Sequence, residues 1–244
     1  MLQTVAANLG SMLTPVGNPQ NLYLYSFYDL AFFDFIRATL PFWLLSLVLL
    51  ALGCMTLSAA PLTFFLGEEP GMDKRAMALY LALFAVCLLV VLRVLSWPVM
   101  LLAVLIVLLL FDRKILLKAD FLLLLTFVAF FIFSGNLARV GAVDRLLRSL
   151  LTGREYLVSL LASQVISNVP AALLLSGFTG EAKELLLGVN IGGLGTPIAS
   201  LASLISMKLY AHSEHAHTGR YLTEFTAINV LLLILLSLAH AILT

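Results

Sequence analysis

The chain has 244 residues, of which 62% are hydrophobic and 11% are charged, and its mean hydropathy is +1.08. Soluble domains average roughly 45–50% apolar and about 25% charged residues, so this composition excludes a water-soluble enzyme, a nucleic-acid-binding protein and a disordered tail. The formal net charge of +1 points to neither an acidic nor a basic partner. The composition therefore predicts an all-α, polytopic membrane protein.

The first part of the chain, residues 1–61, predicts an interrupted apolar helix followed by one span. Residues 1–24 are apolar but contain helix-breaking glycine, proline and asparagine, whereas residues 37–57 form a largely apolar stretch after Asp29, Asp34 and Arg37. A helix needs about 20 mostly apolar residues to cross the hydrocarbon core, so 37–57 is long enough. Residues 62–76 are polar and predict a loop.

The remainder, residues 77–244, predicts a longer series of membrane elements. The apolar stretch 77–111 is too long for one span, and Arg93, Ser96, Trp97 and Pro98 predict a turn within it. The predicted elements are spans 77–94, 97–111 and 121–137, an amphipathic interfacial helix 139–153, a re-entrant hairpin 154–178, a broken helix 184–209 and a final span 222–243.

An internal repeat relates the two broken helices. Residues 6–23 align with 188–205 at a constant offset of 182, and five of the 18 positions are identical: Asn8/Asn190, Gly10/Gly192, Thr14/Thr196, Pro15/Pro197 and Leu22/Leu204. If 154–178 is a re-entrant hairpin, the two repeats run in opposite directions through the membrane, as in many secondary transporters. If 154–178 is instead one span with a proline kink, the repeats are parallel.

Breaks at membrane depth indicate a binding site, because lipid cannot satisfy free backbone groups. The N-terminus of a half-helix favours an anion, and freed carbonyls with Ser, Thr and Asn oxygens favour a cation such as Na⁺. The alternative is that glycine and serine only allow close helix packing, while proline only kinks the helix. No HExxH or GxSxG motif and no intramembrane Asp pair is present, so the sequence does not predict an enzyme.

The segments TPVGNPQN (14–21), SQVISNVPA (163–171) and NIGGLGTPIASLASLI (190–205) resemble the ion-transporter superfamily. This superfamily includes citrate and arsenite permeases, NhaD-type antiporters and divalent-anion/sodium symporters, and the chain is most similar to its YbiR-like inner-membrane permeases. The resemblance implies a multi-pass protein of the cell inner membrane that works as an elevator, with a scaffold that often dimerises. It also implies that the hairpin tip contacts a carboxylate, although Val169 stands where the symporters have threonine. By the same resemblance, Ser163 and the backbone near Gly195–Pro197 help to hold sodium.

The candidate site residues come from the breaks and the hairpin tip. For substrate they are Ser167, Asn168, Val169, Pro170, Gly195, Thr196, Pro197, Thr14, Pro15, Gly17 and Asn18. For Na⁺ they are Ser163, Asn168, Gly193 and Gly195, with Asn8 and Thr14 as a second half-site. No cofactor is predicted other than Na⁺ as a coupling ion.

The predicted function is secondary active transport of a small anion, either citrate-like or dicarboxylate-like or an inorganic oxyanion, coupled to Na⁺ or H⁺. The alternatives are an arsenite-type permease, a sodium/proton antiporter, or a non-transporting half of a split permease. The expected partners are the lipid bilayer and either a second copy or an upstream companion chain, with no nucleic acid. The offset places about a hundred residues of the first repeat upstream of Met1, so this chain alone is not expected to transport.

Overall fold

The computed structural model describes residues 1–56, 73–213 and 216–244, and all regular secondary structure within these ranges is helical. The predicted all-α, polytopic membrane fold is therefore confirmed. The predicted boundary at residues 61–62 and most of the loop 62–76 lie outside the described residues. The helices are α1 (Leu2–Gly10), α2 (Pro19–Phe27), α3 (Phe32–Met55), α4 (Lys74–Val91), α5 (Trp97–Phe111), α6 (Arg113–Leu116), α7 (Phe121–Leu137), α8 (Gly141–Leu151), α9 (Glu155–Ile166), α10 (Asn168–Leu175), α11 (Ala182–Ile191), α12 (Leu201–Ala211) and α13 (Thr218–Leu243).

The number of membrane-crossing helices follows from their length and apolar character. In the described part of the chain, α3, α4 and α13 are long and apolar enough to cross a bilayer. A fourth crossing results if Leu124–Leu137 and Gly141–Leu151, which meet at a bend of 100°, are counted as one span. Helices α5, α9, α10 and α12 are apolar but shorter.

The chain divides into two compact units, of which the second is Ser58–Leu125. Its α4 begins at Lys74, three residues before the predicted span, because the Asp73 carboxylate accepts hydrogen bonds from the first-turn N–H groups of Arg75 and Ala76. Tyr80 near the start of α4 donates to Asp112 at the end of α5, so the two helices form an antiparallel pair. No residue of α4 or α5 is buried, as expected for helices that face lipid.

The first unit, Met1–Leu57 with Thr126–Thr244, contains both copies of the repeat. The second half-helix of each copy is capped at the same repeat position: Asn18 Oδ1 accepts from Asn21 N at 2.9 Å, and Ser200 Oγ accepts from Ser203 N at 3.1 Å. Both closing helices, α3 and α13, begin four or five residues before the predicted spans. In α3 the first-turn Asp34 lies where the helix dipole favours a negative charge.

The core of the first unit joins the two copies. Its buried side chains come from α1 and α3 of the first copy, from α11 and α13 of the second, from α9 and from the two breaks: Val5, Leu9, Met12, Phe42, Leu160, Leu187, Ile191, Leu194, Leu232 and Leu236. The predicted division into residues 1–61 and 77–244 follows the order of the chain. This division stays a prediction, and within the first compact unit each copy buries apolar side chains against the other.

Two hydrogen bonds define the relative direction of α1 and α12. Thr4 Oγ1 donates to Ser206 Oγ at 2.7 Å, and Asn8 Nδ2 donates to Ser200 Oγ at 2.8 Å. Since the position on α12 moves backward as the position on α1 moves forward, the two helices run antiparallel.

Candidate functional site

The second broken helix is interrupted between α11 and α12, and a hairpin glutamine satisfies the backbone there. Gln164 Nε2 donates to the carbonyls of Gly192 at 2.8 Å and Leu194 at 3.0 Å, and Gln164 Oε1 accepts from Thr196 N at 3.0 Å. Thr196 Oγ1 in turn donates to the Gln164 carbonyl at 3.0 Å. Gly195 adopts φ +99° here, and a Cβ at this position would collide with Gln164 Oε1. A single amide therefore replaces the hydrogen bonds that the break removes.

The first broken helix is closed in the same way by an amide of its own copy. Asn21 Nδ2 lies 3.2–3.3 Å from the carbonyl oxygens of Ser11, Met12 and Thr14, to which it donates. Asn21 is part of α2, whereas Gln164 belongs to α9 of the hairpin. Both breaks are thus stabilised at their backbone carbonyls by side chains of the protein itself.

A reciprocal set of hydrogen bonds joins the two breaks. Asn8 of the first copy donates to Ser200 of the second at 2.8 Å, and Asn18 of the first copy donates to Asn190 Oδ1 of the second at 3.1 Å. Asn190 Nδ2 also donates to Asn21 Oδ1 at 2.6 Å. Asn8 and Asn190 are equivalent positions of the repeat, as are Asn18 and Ser200, so each copy makes the same contact with the other. Such reciprocity is what an approximate two-fold axis produces.

Between the breaks and the hairpin tip lies a cavity of about 240 Å³. Its lining residues are Ala7, Asn8, Ser11, Gly17, Asn18, Pro19, Gln20, Asn168, Val169, Ser200, Leu201 and Ala202. They include the first residues of three helices, α2, α10 and α12. A helix N-terminus carries free N–H groups and about half a positive charge, and none of the lining side chains is ionisable. The lining therefore offers the partial positive charge of three helix ends and no charged side chain, although Asn18 and Ser200 already accept a hydrogen bond from one N–H group each at α2 and α12.

The hairpin tip contributes one end of this cavity. Helices α9 and α10 are separated only by Ser167, which adopts φ +72°, and α10 begins at Asn168. Asn168 is only 5% exposed and lines the cavity, and its side-chain amide has no hydrogen-bond partner in the described part of the chain. Gln20, at the second position of α2, is 3% exposed and lines the cavity in the same unpartnered state. Buried amides are normally paired, so both side chains have unused capacity for a ligand.

The structure brings only some of the predicted residues to the cavity. Five of them line it: Asn8, Gly17, Asn18, Asn168 and Val169. The others do not: Thr14, Pro15, Ser163, Ser167, Pro170, Gly193, Gly195, Thr196 and Pro197. Several of these have a structural partner instead. Ser167 Oγ donates to the Ala199 carbonyl at 3.4 Å, and the Thr196 hydroxyl is used by Gln164.

Ser163, a predicted sodium ligand, lies where α9 meets α11. It is buried, and its hydroxyl donates to the Ser159 carbonyl of its own helix at 2.7 Å. Its Cβ would be 3.0 Å from a side chain added at Gly192. Small residues at four-residue spacing on both helices, Ser159/Ser163 and Gly188/Gly192, allow this close approach. The contact is the one expected for helix packing.

The sequence interpretation missed several polar residues of the site, including Asn21, which holds the first break. Ser11, Gln20 and Ser200 line the cavity, and Gln164 holds the second break. Asn18 and Ser200 could have been identified together as helix N-caps, since each is followed three residues later by the residue whose N–H it accepts. No local signal distinguishes Gln164, because its partners lie about 30 residues away in the chain.

Ionisable groups of the first unit lie away from the cavity. Glu184 Oε2 is 2.8 Å from His240 Nε2, and the His240 ring stacks on Tyr156 at a centroid distance of 3.6 Å. Glu155 is buried and accepts from Gly153 N at 3.3 Å. Within the described residues no group of three or more His, Cys, Asp or Glu side chains could hold a metal ion.

Comparison with known proteins gives the same picture of a membrane transporter. A family model described as "Citrate transporter" matches residues 1–182. An uncharacterized transporter of Methanocaldococcus jannaschii is 34% identical over 243 residues, which is 97% of this chain and 64% of that protein. Inner membrane protein YbiR of Escherichia coli is 32% identical over 217 residues, 86% of this chain and 57% of that protein. No solved structure matches the chain.

The chain thus spans about 60% of the length of the relatives it matches. The predicted resemblance to YbiR-like permeases is confirmed by these matches. Since the family model covers three quarters of its residues, the chain belongs to the citrate transporter family.

Proposed function

We propose that the chain binds a small anion in the cavity between the two breaks and takes part in its secondary active transport. The observation that carries this proposal is the convergence of the N-termini of α2, α10 and α12 on one cavity without an ionisable side chain. Free N–H groups at helix N-termini are suited to oxyanions, and their dipoles favour negative charge. Kinks that served only helix packing would not require three helix N-termini to meet at one cavity.

The substrate is proposed to be citrate-like or dicarboxylate-like, or an inorganic oxyanion. Three helix N-termini together supply roughly one and a half positive charges, which suits a mono- or dianion. A more highly charged anion would leave an excess of negative charge in a site without cationic side chains. Such an anion would need a cation beside it.

Na⁺ is the favoured coupling ion in this proposal, with H⁺ as the alternative. The cavity lining offers neutral oxygens, including the hydroxyls of Ser11 and Ser200 and the amide oxygen of Asn8. Oxygen ligands of this kind suit a hard cation. Proton coupling would need a titratable group at the site, and the lining contains none.

The test is equilibrium binding of radiolabelled citrate and inorganic phosphate to the purified chain, in sodium chloride and in choline chloride. We expect saturable binding of at least one of the two anions, tighter in the presence of Na⁺. Absence of binding of both anions would contradict the proposal. Equal binding in choline chloride would contradict Na⁺ as the coupling ion.

Transport, as distinct from binding, is proposed to require a companion chain. Gly192 packs against the hairpin, with Leu160 Cα 2.9 Å from the position of an added Cβ, whereas nothing lies within 4 Å of the equivalent position at Gly10. The other candidate partner is a second molecule of this protein, which would cover the open surface of α1 at Gly10. Uptake of labelled citrate by liposomes that contain only the purified chain, under a Na⁺ gradient, would contradict this proposal.

A further inference from the structure

We propose that Gln20 contacts the substrate and selects small carboxylates that carry a hydroxyl group. This inference rests on the proposed function, because it assigns a role within the same cavity. Gln20 lies in the first turn of α2, two residues after the N-cap Asn18, and its side chain is almost completely buried. It lines the cavity, and within the described residues its side-chain amide has no hydrogen-bond partner.

Gln20 and Asn168 differ from the four other amides that hold the breaks together. Asn18, Asn21 and Asn190 form the network between the two breaks, and Gln164 closes the second break. Each of these four side chains has protein partners that explain its burial. The Gln20 amide has no protein partner, and its polar atoms are accessible from the cavity rather than sealed in the core, so they are available to pair with a ligand there.

The chemistry of the amide defines the class of ligand. A glutamine side chain has two N–H donors and one carbonyl acceptor, and so does the side chain of Asn168, which lines the same cavity. A carboxylate can accept hydrogen bonds from the amide nitrogens, but it has no hydrogen to donate to the amide oxygens. A ligand with a carboxylate and a hydroxyl group satisfies both parts of the amide. A plain dicarboxylate or a fully ionised oxyanion satisfies only one.

The two repeat copies differ at this position, so the glutamine is present at only one end of the cavity. The position equivalent to Gln20 in the second copy is Ala202, which lines the cavity but has no polar side chain. The approximate two-fold symmetry of the breaks is therefore lost at this pair of positions. A hydroxyl group would be recognised at the α2 end of the cavity and not at the α12 end, which would orient an unsymmetrical substrate.

The experiment compares two pairs of ligands that differ by one hydroxyl group, malate with succinate and citrate with propane-1,2,3-tricarboxylate. Their affinities are measured by titration calorimetry on the wild type, Gln20→Met, Gln20→Ala and the control Gln3→Met, whose exposed glutamine lies outside this cavity. We expect the wild type and Gln3→Met to bind the hydroxylated member of a pair at least roughly tenfold more tightly. Both Gln20 variants should bind the two members equally, with an unchanged or higher melting temperature.

The other possible results separate the anion site, the selection of hydroxyl groups and the role of Gln20. If the wild type binds none of the four acids, the proposed function and this inference both fail. If the wild type binds both members of each pair equally, the anion site stands and hydroxyl selection fails. If Gln20→Met or Gln20→Ala keeps the wild-type preference, or if the affinity depends on Na⁺ but not on the hydroxyl group, the assignment to Gln20 is wrong.

Discussion

At the scale of single residues, two side-chain amides hold the interrupted backbone. Asn21 has this role in the first copy and Gln164 in the second, so the backbone carbonyls at both breaks have hydrogen-bond partners. The positions of the breaks could be predicted because glycine and proline act on the local backbone. The partners could not, because each amide reaches carbonyls that are brought near only by the fold.

Replacing Gln164 should therefore destabilise the protein. In Gln164→Met, the carbonyls of Gly192 and Leu194 and the N–H of Thr196 lose their partner, and the expected loss of unfolding free energy is about 2–4 kcal/mol. The measurement is the unfolding midpoint in detergent, with Gln20→Met as the matched control because the Gln20 amide has no protein partner to lose. Equal midpoints for Gln164→Met and the wild type would show that the amide does not support the break.

At the scale of elements, the hairpin is held against α11 by small residues. A Cβ atom added at Gly188 would collide with the Ser159 side chain. A Cβ atom added at Gly192 would lie 2.9 Å from Leu160 Cα and 3.0 Å from Ser163 Cβ. The glycines and the hairpin were both predictable from the sequence, but their mutual contact was not. The sodium role predicted for Ser163 from the resemblance stays a prediction, since its hydroxyl donates its hydrogen to the Ser159 carbonyl and keeps the lone pairs of its oxygen.

Equivalent glycines of the two copies provide a matched pair for testing this contact. Gly192→Ala should lower the unfolding free energy by about 1–3 kcal/mol, because overpacking forces α9 and α11 apart. Gly10→Ala should be neutral or stabilise by up to about 1 kcal/mol, because the added methyl group meets no atom and alanine favours the helix. Thermal unfolding in detergent gives both values, and similar effects for the two variants would contradict the described contact.

At the scale of the whole molecule, the repeat could be recognised from the constant offset of 182 and its matching helix breakers. The shared core of the two copies could not be read from the chain order, because it depends on long-range contacts such as Val5 and Leu9 with Ile191 in one buried cluster. The starts of α3 and α13 also differ from the predicted spans, since each helix begins in the more polar residues before its apolar stretch, without a side-chain N-cap hydrogen bond. The inverted arrangement remains a proposal, supported by the antiparallel α1 and α12.

Inverted repeats place the ends of α3 and α13 on opposite sides of the membrane. Thr56 follows α3 and Thr244 follows α13, and both are exposed. After replacement of Cys54 and Cys87 by serine, single cysteines in Thr56→Cys and Thr244→Cys should differ in labelling by a membrane-impermeant maleimide in spheroplasts. Lysis should make both equally reactive. Labelling of both from the same side in intact spheroplasts would show that the repeats are parallel.

The central claim, that the cavity binds an anion through helix N-termini, is tested most directly by adding one negative charge to its wall. Ala202 lines the cavity in the first turn of α12, where an aspartate is compatible with the helix dipole. We predict that Ala202→Asp abolishes saturable binding of radiolabelled citrate and phosphate, while the neutral, similarly sized Ala202→Asn retains it, with both variants folded. Undiminished anion binding by Ala202→Asp would contradict the account.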